Sequence, residues 1–304
     1  MARIVSVGEI LWDVFPQTEH LGGAAFNFAA HAARLGHDVY FVSAAGDDER
    51  GRWALEQAEK LGLSTRYIGV VSGQATGIVT VSVDPAGQPS FVIHRPAAYD
   101  FATLAPKDLK QLCDLAPEWV YYGTLYQMNE NAKCLTMALL ESLPEALRLY
   151  DANLRKDSFT PELVEELLGL ASVAKLNDSE MEAIAAMFAL PAAGIEEFCR
   201  ATARRYQIEA VCVTQGVAGC SLLVGEQFLT APGYPVKVAD TVGAGDAFAA
   251  ALVHGLTSGW GIRQVADFAN RVGALVASRE GGTPEWTVGE ALALIPLTNP
   301  GADP

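Results

Sequence analysis

Short runs dominated by β-branched and aromatic residues recur along the chain: RIVSVG from Arg3, HDVYFVSAAG from His37, EWVYYGTL from Glu118, LRLYDAN from Leu147, SVAKLN from Ser172 and EAVCVTQG from Glu209. Between several of them apolar positions return at helical spacing, as in FNFAAHAARLG (26–36) and GRWALEQAEKLG (51–62). Strand alternating with helix predicts parallel strands joined by crossover helices. The expected fold class is therefore α/β, a doubly wound, mostly parallel sheet flanked by helices. One region breaks the rhythm. TGIVTVSVDPAGQPSFVIHR (76–95) has two stretches of period two around the turn signal Asp84-Pro85-Ala86-Gly87, the pattern of a β-hairpin. Such a hairpin is either a lid over a site or an edge extension of the sheet, and the pattern leaves both open.

Composition narrows the function more than the fold. Half of the 304 residues are hydrophobic, enough for a sizeable core. The 21 lysines and arginines against 36 acidic residues give a net charge of −15, which disfavours nucleic acid or an anionic membrane as a partner. Five cysteines form no CxxC pair, so reduced thiols in a cytoplasmic protein are expected, without structural zinc. Glu9 and Asp13 interrupt the opening apolar stretch before a signal-peptide core forms, and no apolar run is long enough to span a bilayer. The tail LTNPGADP (297–304) is expected to be poorly ordered.

The most informative stretch chemically is DTVGAGDAF, Asp240 to Phe248, followed by the helix former AAALVHGL. Gly243, Ala244 and Gly245 would sit in the turn that feeds a helix N-terminus. Unpaired N–H groups and the helix dipole attract anions there, and small residues let a phosphate approach the main chain. Asp246, beside that hole, would be placed to take a proton from an attacking hydroxyl. Alone, the motif also reads as a tight turn with an ordinary first-turn carboxylate. The dipeptide Gly-Lys never occurs and no DFG or HRD element is present, so the phosphate loop and protein-kinase templates are excluded. No GxGxxG follows the first strand, which argues against a nicotinamide oxidoreductase. The five histidines show no metal spacing, and His254, alone in an apolar helix, reads as packing.

With GEILWD (8–13) and LGGAAFNFAAHAARLG (21–36), this motif resembles the two signature regions of the ribokinase-like (PfkB) carbohydrate kinases. The likeness continues through GDDERG (46–51), DANLR (151–155), KLNDSE (175–180), VTQGVAGCSL (213–222) and REGGTPEW (279–286), in order and over nearly the whole chain. Within that family the motifs look most like bacterial fructokinases. The resemblance implies one ribokinase-like kinase domain, 1–304, with a small β-sheet lid from segments near 11–22 and 68–97, and it turns the hairpin reading toward a lid.

The resemblance also implies roles. Asp246 becomes the catalytic base and Gly243, Ala244 and Gly245 the anion hole. Asp13, Gly22, Gly23 and Asn27 bind sugar hydroxyls, a carboxylate and an amide suiting vicinal hydroxyls because one only accepts and the other also donates. Arg155 and Arg95 reach the sugar or its phosphate. Asn177 and Glu180 hold water-coordinated Mg2+ near the nucleotide, although Asn177 and Asp178 read on their own as helix caps. Thr214 and Gly216 lie near the phosphates and ribose of ATP, and Asn270 beside the adenine. Gln215 stands where the family often has leucine. Asp240 either helps bind K+ or caps the turn. Trp12 either lines the sugar site or packs the lid.

The expected activity is ATP-dependent phosphorylation of a sugar's primary hydroxyl, fructose to fructose 6-phosphate. The alternatives are 2-keto-3-deoxygluconate, ribose, a nucleoside or another ketose as substrate, or a catalytically silent binding protein of the same fold. A homodimer through the hairpin sheet is a further expectation.

Overall fold

The computed structural model describes residues 1–83 and 89–295. The hairpin turn at Asp84–Gly87 and the tail from Leu297 lie outside the described residues. In chain order the strands are β1 (Arg3–Val7), β2 (Leu11–Val14), β3 (Glu19–Gly22), β4 (Asp38–Gly46), β5 (Ile68–Val71), β6 (Gly77–Val83), β7 (Pro89–Ile93), β8 (Trp119–Gly123), β9 (Leu147–Asp151), β10 (Val173–Asn177), β11 (Ala210–Thr214), β12 (Gly219–Val224) and β13 (Gln227–Pro232). Nine of them form one sheet in the order β13-β12-β11-β10-β9-β8-β1-β4-β5. From β5 to β11 every pairing is parallel, and β12 and β13 extend the edge antiparallel.

Alternation within each strand builds a core on both faces. Ile4, Trp119, Tyr121, Ala210 and Cys212 face one layer, while Val5, Val7, Val120, Tyr122, Val211 and Val213 face the other. The first layer is covered by α1 (Ala24–Arg34) and α2 (Glu49–Lys60), the second by α3 (Pro106–Asp114), the short α4 (Thr124–Gln127), α5 (Glu130–Ser142), α6 (Pro161–Leu170), α7 (Asp178–Phe188) and α8 (Ile195–Tyr206). The last helices, α9 (Ala244–Thr257), α10 (Ile262–Ala277) and α11 (Val288–Leu292), return to the first layer. The doubly wound architecture expected from the alternation of strand and helix is the one observed. Among the described residues no helix is long and apolar enough to cross a membrane, and the five cysteines are free thiols.

The hairpin does not extend the large sheet. β6 and β7 pair antiparallel, and β6 runs parallel to β2, which pairs with β3, giving a separate sheet in the order β3-β2-β6-β7. Within the segment 68–97, β5 belongs instead to the large sheet, because Ile68–Val71 lies in parallel register with Ser43–Gly46. Strand alternation gives the small sheet two unlike faces. Trp12 turns away from the face of its neighbour Asp13, donates its indole N–H to the Arg50 carbonyl at 3.1 Å and meets Trp53 edge-on, so it packs the sheet against α2.

Candidate active site

The parallel strands β1, β8, β9, β10 and β11 end at one edge of the large sheet, where open α/β folds place their ligands. At this edge Gly243 caps α9 with φ +77°, a left-handed conformation open to glycine at little cost. A Cβ there would come within 2.1 Å of the Gly282 carbonyl oxygen, so the position is closed to larger residues twice over. No side chain caps this helix, and the N–H groups of Gly245 and Asp246 find no acceptor among the described residues. Two open donors at the positive end of a helix dipole form a site for an anion.

Asp246, in the first turn of α9, is 8% exposed. Burial pushes its carboxyl up to about 7, and the nearby Asp151 adds to that rise. Lys175, a hydrogen bond from Asn27 and Arg155 oppose it. That bond runs from Asn27 Nδ2 to Asp246 Oδ2 at 2.9 Å. Asn27 Oδ1 is buried and has no hydrogen-bond partner among the described residues. An acceptor left open beside a carboxylate suits a ligand hydroxyl, because a buried acceptor is costly to leave unmet.

The sugar-side residues converge on this pair. A Cβ on Gly22 would lie 2.8 Å from Asp13 Oδ2, so the glycine permits that close approach, and Asn27 Oδ1 stands at ordinary contact distance, 3.8 Å, from the same point. Gly23, at φ +109°, presses against the Glu9 carbonyl and starts α1. Asp13 is pushed up to about 6 by burial, opposed by Arg155, with Asp240 raising it further. Arg155 is exposed and joins none of the ion pairs among the described residues. Its charge nevertheless acts on Glu9, Asp13 and Asp246.

Other expected site residues are engaged within the protein. Arg95 forms a forked ion pair with the buried Asp100 and donates to the Leu125 carbonyl at 2.7 Å. Asn270 donates to the carbonyls of Ala231 and Pro232, tying α10 to the end of β13. Thr214 ends β11 and donates to the Leu176 carbonyl at 3.3 Å, and Gly216 follows at φ +54°. Asp240 Oδ1 accepts from Val242 N and Oδ2 from Gly281 N, the arrangement of a turn cap. Asn177 and Glu180 make a reciprocal capping box at the start of α7. Glu180 also accepts from Leu154 N at 2.9 Å, and burial raises its pKa despite Lys175 nearby.

Lys175, Asp151, Tyr121 and Glu9 escaped the sequence reading as members of the site. Lys175 Nζ lies 2.9 and 3.0 Å from the two Asp151 oxygens, with both side chains buried, and Tyr121 donates to the same carboxylate. A Cβ on Gly245 would stand 3.1 Å from Lys175 Nζ, so the ammonium lies directly beneath the α9 turn. Burial works against its charge, but Asp151, Glu180 and Asp246 outweigh burial and hold its pKa above the ordinary value. Glu9, 4% exposed, accepts from Ala24 N at 2.9 Å, and burial raises its pKa. The available signals were a lysine inside the apolar run VAKLN and an aspartate closing LRLYD, which the sheet register sets side by side.

Comparison with known proteins agrees with this geometry. Residues 2–287 match the profile of the pfkB family carbohydrate kinases. The chain is 30% identical over 272 residues to a fructokinase of Klebsiella pneumoniae, covering 84% of this chain and 85% of that one. A crystal structure of fructokinase with bound ATP from Xylella fastidiosa superposes with a TM-score of 0.84 at 24% identity, covering 95% and 97% of the two chains. A 2-dehydro-3-deoxygluconokinase from Thermotoga maritima superposes with a TM-score of 0.85 at 21% identity over 96% and 98%. A buried carboxylate beside an open helix N-terminus, on a chain matched almost end to end by one family, leads to one assignment: the chain belongs to the pfkB family of carbohydrate kinases, phosphotransferases with an alcohol group as acceptor.

Proposed function

We propose that this carbohydrate kinase transfers the γ-phosphate of ATP to the primary hydroxyl of fructose, giving fructose 6-phosphate and ADP. The observation that carries the chemistry is Asp246, a buried carboxyl with its pKa near 7 one residue past the open N–H of Gly245. A base poised near neutrality is half ionised at working pH and still basic enough to take a hydroxyl proton. In the proposed step the hydroxyl proton passes to Asp246, the oxygen bonds to the γ-phosphorus, and the bond from that phosphorus to the β-phosphate oxygen breaks. The open N–H groups of Gly245 and Asp246, where the Gly243–Gly245 turn enters α9, donate to the transferring group and stabilise its charge. Asp13, Asn27, Gly22 and Gly23 hold the sugar, with Arg155 at the rim and Arg95 behind it as a structural clamp.

The nucleotide would lie along Thr214, Gly216 and Asn270. Glu180 and Asn177 suit the water shell of Mg2+, since each Glu180 oxygen accepts one backbone N–H and keeps lone-pair capacity for a water proton. Magnesium would supply neutralisation of phosphate charge. Asp240 is the proposed neighbour of a K+ ion. The small sheet, carrying Asp13 on one strand, acts in this reading as a lid that excludes water. A homodimer through that sheet and a cytoplasmic location belong to the same reading, and sedimentation and cell fractionation test them.

The name of the Klebsiella relative supports fructose. One observation favours a second reading: Arg155, free of ion pairs among the described residues, suits the carboxylate of an acid sugar such as 2-keto-3-deoxygluconate. A coupled ADP-release assay with Mg-ATP against fructose, 2-keto-3-deoxygluconate, ribose, glucose and adenosine, with and without K+, separates them. A kcat/KM highest for fructose supports the proposal. A preference for the acid sugar overturns the assigned substrate while leaving the family chemistry intact.

A further inference from the structure

We propose that His31 is a positioning residue for phosphoryl transfer: a neutral imidazole protonated on Nε2, it holds the Gly282 peptide against Asn27 and the Gly243 turn, and Trp286 fixes its tautomer. The proposal rests on reading Asp246 as the base and Gly243–Gly245 as the anion hole.

The hydrogen bonds define the tautomer. Trp286 Nε1 lies 3.0 Å from His31 Nδ1, and an indole N–H can only donate, so Nδ1 must accept. The ring proton is then on Nε2, which lies 2.9 Å from the Gly282 carbonyl oxygen and donates to it. His31 is 1% exposed, and burial lowers its pKa to about 4, so the imidazole stays neutral at working pH. Arg34, one turn along the helix, pushes in the same direction.

What this imidazole holds is the reason to assign it more than packing. His31 stands four residues after Asn27 on α1, on the same helical face. Gly282 is wedged between Asn27 and the cap of α9. A Cβ on Gly282 would come within 2.8 Å of Asn27 Nδ2, and a Cβ on Gly243 within 2.6 Å of Gly282 Cα. From the other side Asp240 ties Gly281 N to Val242 N through its two oxygens. The Gly281–Gly282 turn is thereby strapped twice across the N-terminus of α9. Release of the Gly282 carbonyl would let this turn slide, and Asn27, the partner of Asp246, and Gly243, the start of the anion hole, would lose one shared support.

The test compares His31→Ala, His31→Gln and Trp286→Phe with wild type and with Asp246→Asn. Glutamine places an N–H donor at the same bond count from Cβ as Nε2 and so can keep the bond to Gly282. The expected result is a fall in kcat of about tenfold or more for His31→Ala, with sugar and ATP KM within about threefold, and recovery of most of kcat in His31→Gln. A merely structural histidine would lower the melting temperature in both variants without separating their kcat values. Wild-type kcat in a folded His31→Ala, or equal losses in the Ala and Gln variants, overturns the proposal alone. Wild-type turnover in Asp246→Asn overturns the base assignment and this proposal with it. Should His31→Ala fail to fold, Trp286→Phe and nitrogen-15 NMR of the wild-type histidines decide. A lowered kcat in Trp286→Phe and a proton on Nε2 of His31 support the assignment, whereas a proton on Nδ1 overturns it.

Discussion

Asn27, in the first helix, donates its amide N–H to Asp246, 219 positions later in the chain, across 2.9 Å. The bond joins the element that follows the first strand to the helix that carries the proposed base. It also orients one carboxylate oxygen and leaves the other for a substrate proton. Replacing Asp246 by asparagine keeps an acceptor for Asn27 and removes the base. Asp246→Asn is therefore expected to lower kcat by about 10³-fold or more while sugar affinity, measured by calorimetry, stays close to wild type. Comparable turnover in the variant would refute the assignment.

The acid limb of the kcat/KM profile should lie near pH 7, because the base must be ionised and burial holds Asp246 at about 7. Activity then rises as pH increases through that region. Arg155 favours the ionised forms of both Asp246 and Asp13. Its removal in Arg155→Met is expected to move the limb to higher pH. A limb that stays put in this variant would mean that the guanidinium does not act on the base.

Stability should carry the opposite sign. Asp246 has a folded pKa above its ordinary 3.8, so between about 4 and 7 the native state keeps a proton that the unfolded chain has released. Folding stability from this group is present below that window and is lost as pH rises through it. Asp13, Glu9 and Glu180 are raised too and add the same sign. Thermal melts at pH 5 and pH 8 should show Asp246→Asn gaining on wild type at the higher pH. An equal difference at both values would place the cost of Asp246 elsewhere.

The sequence made some of this legible and hid the rest for a physical reason. Gly243 was readable because a glycine-rich turn before a helix former needs backbone freedom, and its φ of +77° shows that need. The central strands were readable from runs such as RIVSVG, because a strand buried on both faces is apolar throughout. The placement of Lys175 against Asp151 was not, since each is a plausible surface charge until the β9–β10 register pairs them. The parallel pairing of β2 with β6, on which the small sheet depends, likewise joins segments far apart in the chain and leaves no local pattern. His31 and Trp286, 255 positions apart, are hidden in the same way.

The buried Lys175–Asp151 pair yields a stability prediction. Lys175→Met leaves the Asp151 carboxylate in the interior with Tyr121 but without its counter-charge. Breaking one partner of a buried pair costs about 3–5 kcal/mol. Denaturant unfolding should report a loss of that size, and Asp151→Asn in the same background should recover part of it. A loss within the range of an ordinary surface substitution would show that water reaches this pair.

Gly243 and Gly245 offer a final contrast, because both lie in the proposed anion hole and are held small for different reasons. Gly243 has a left-handed backbone, and its missing Cβ would strike the Gly282 backbone at 2.1 Å, which cannot yield as a flexible side chain can. Gly245 is helical, and its missing Cβ would meet only the end of Lys175, at 3.1 Å. Gly243→Ala should therefore displace the turn and destabilise the protein as well as the transfer step. Gly245→Ala should leave the melting temperature nearer to wild type and lower kcat by crowding the ammonium and the incoming phosphate. Matched melts and kinetics on the two variants check this, and equal losses of stability would show that the two glycines are held small for a single shared reason.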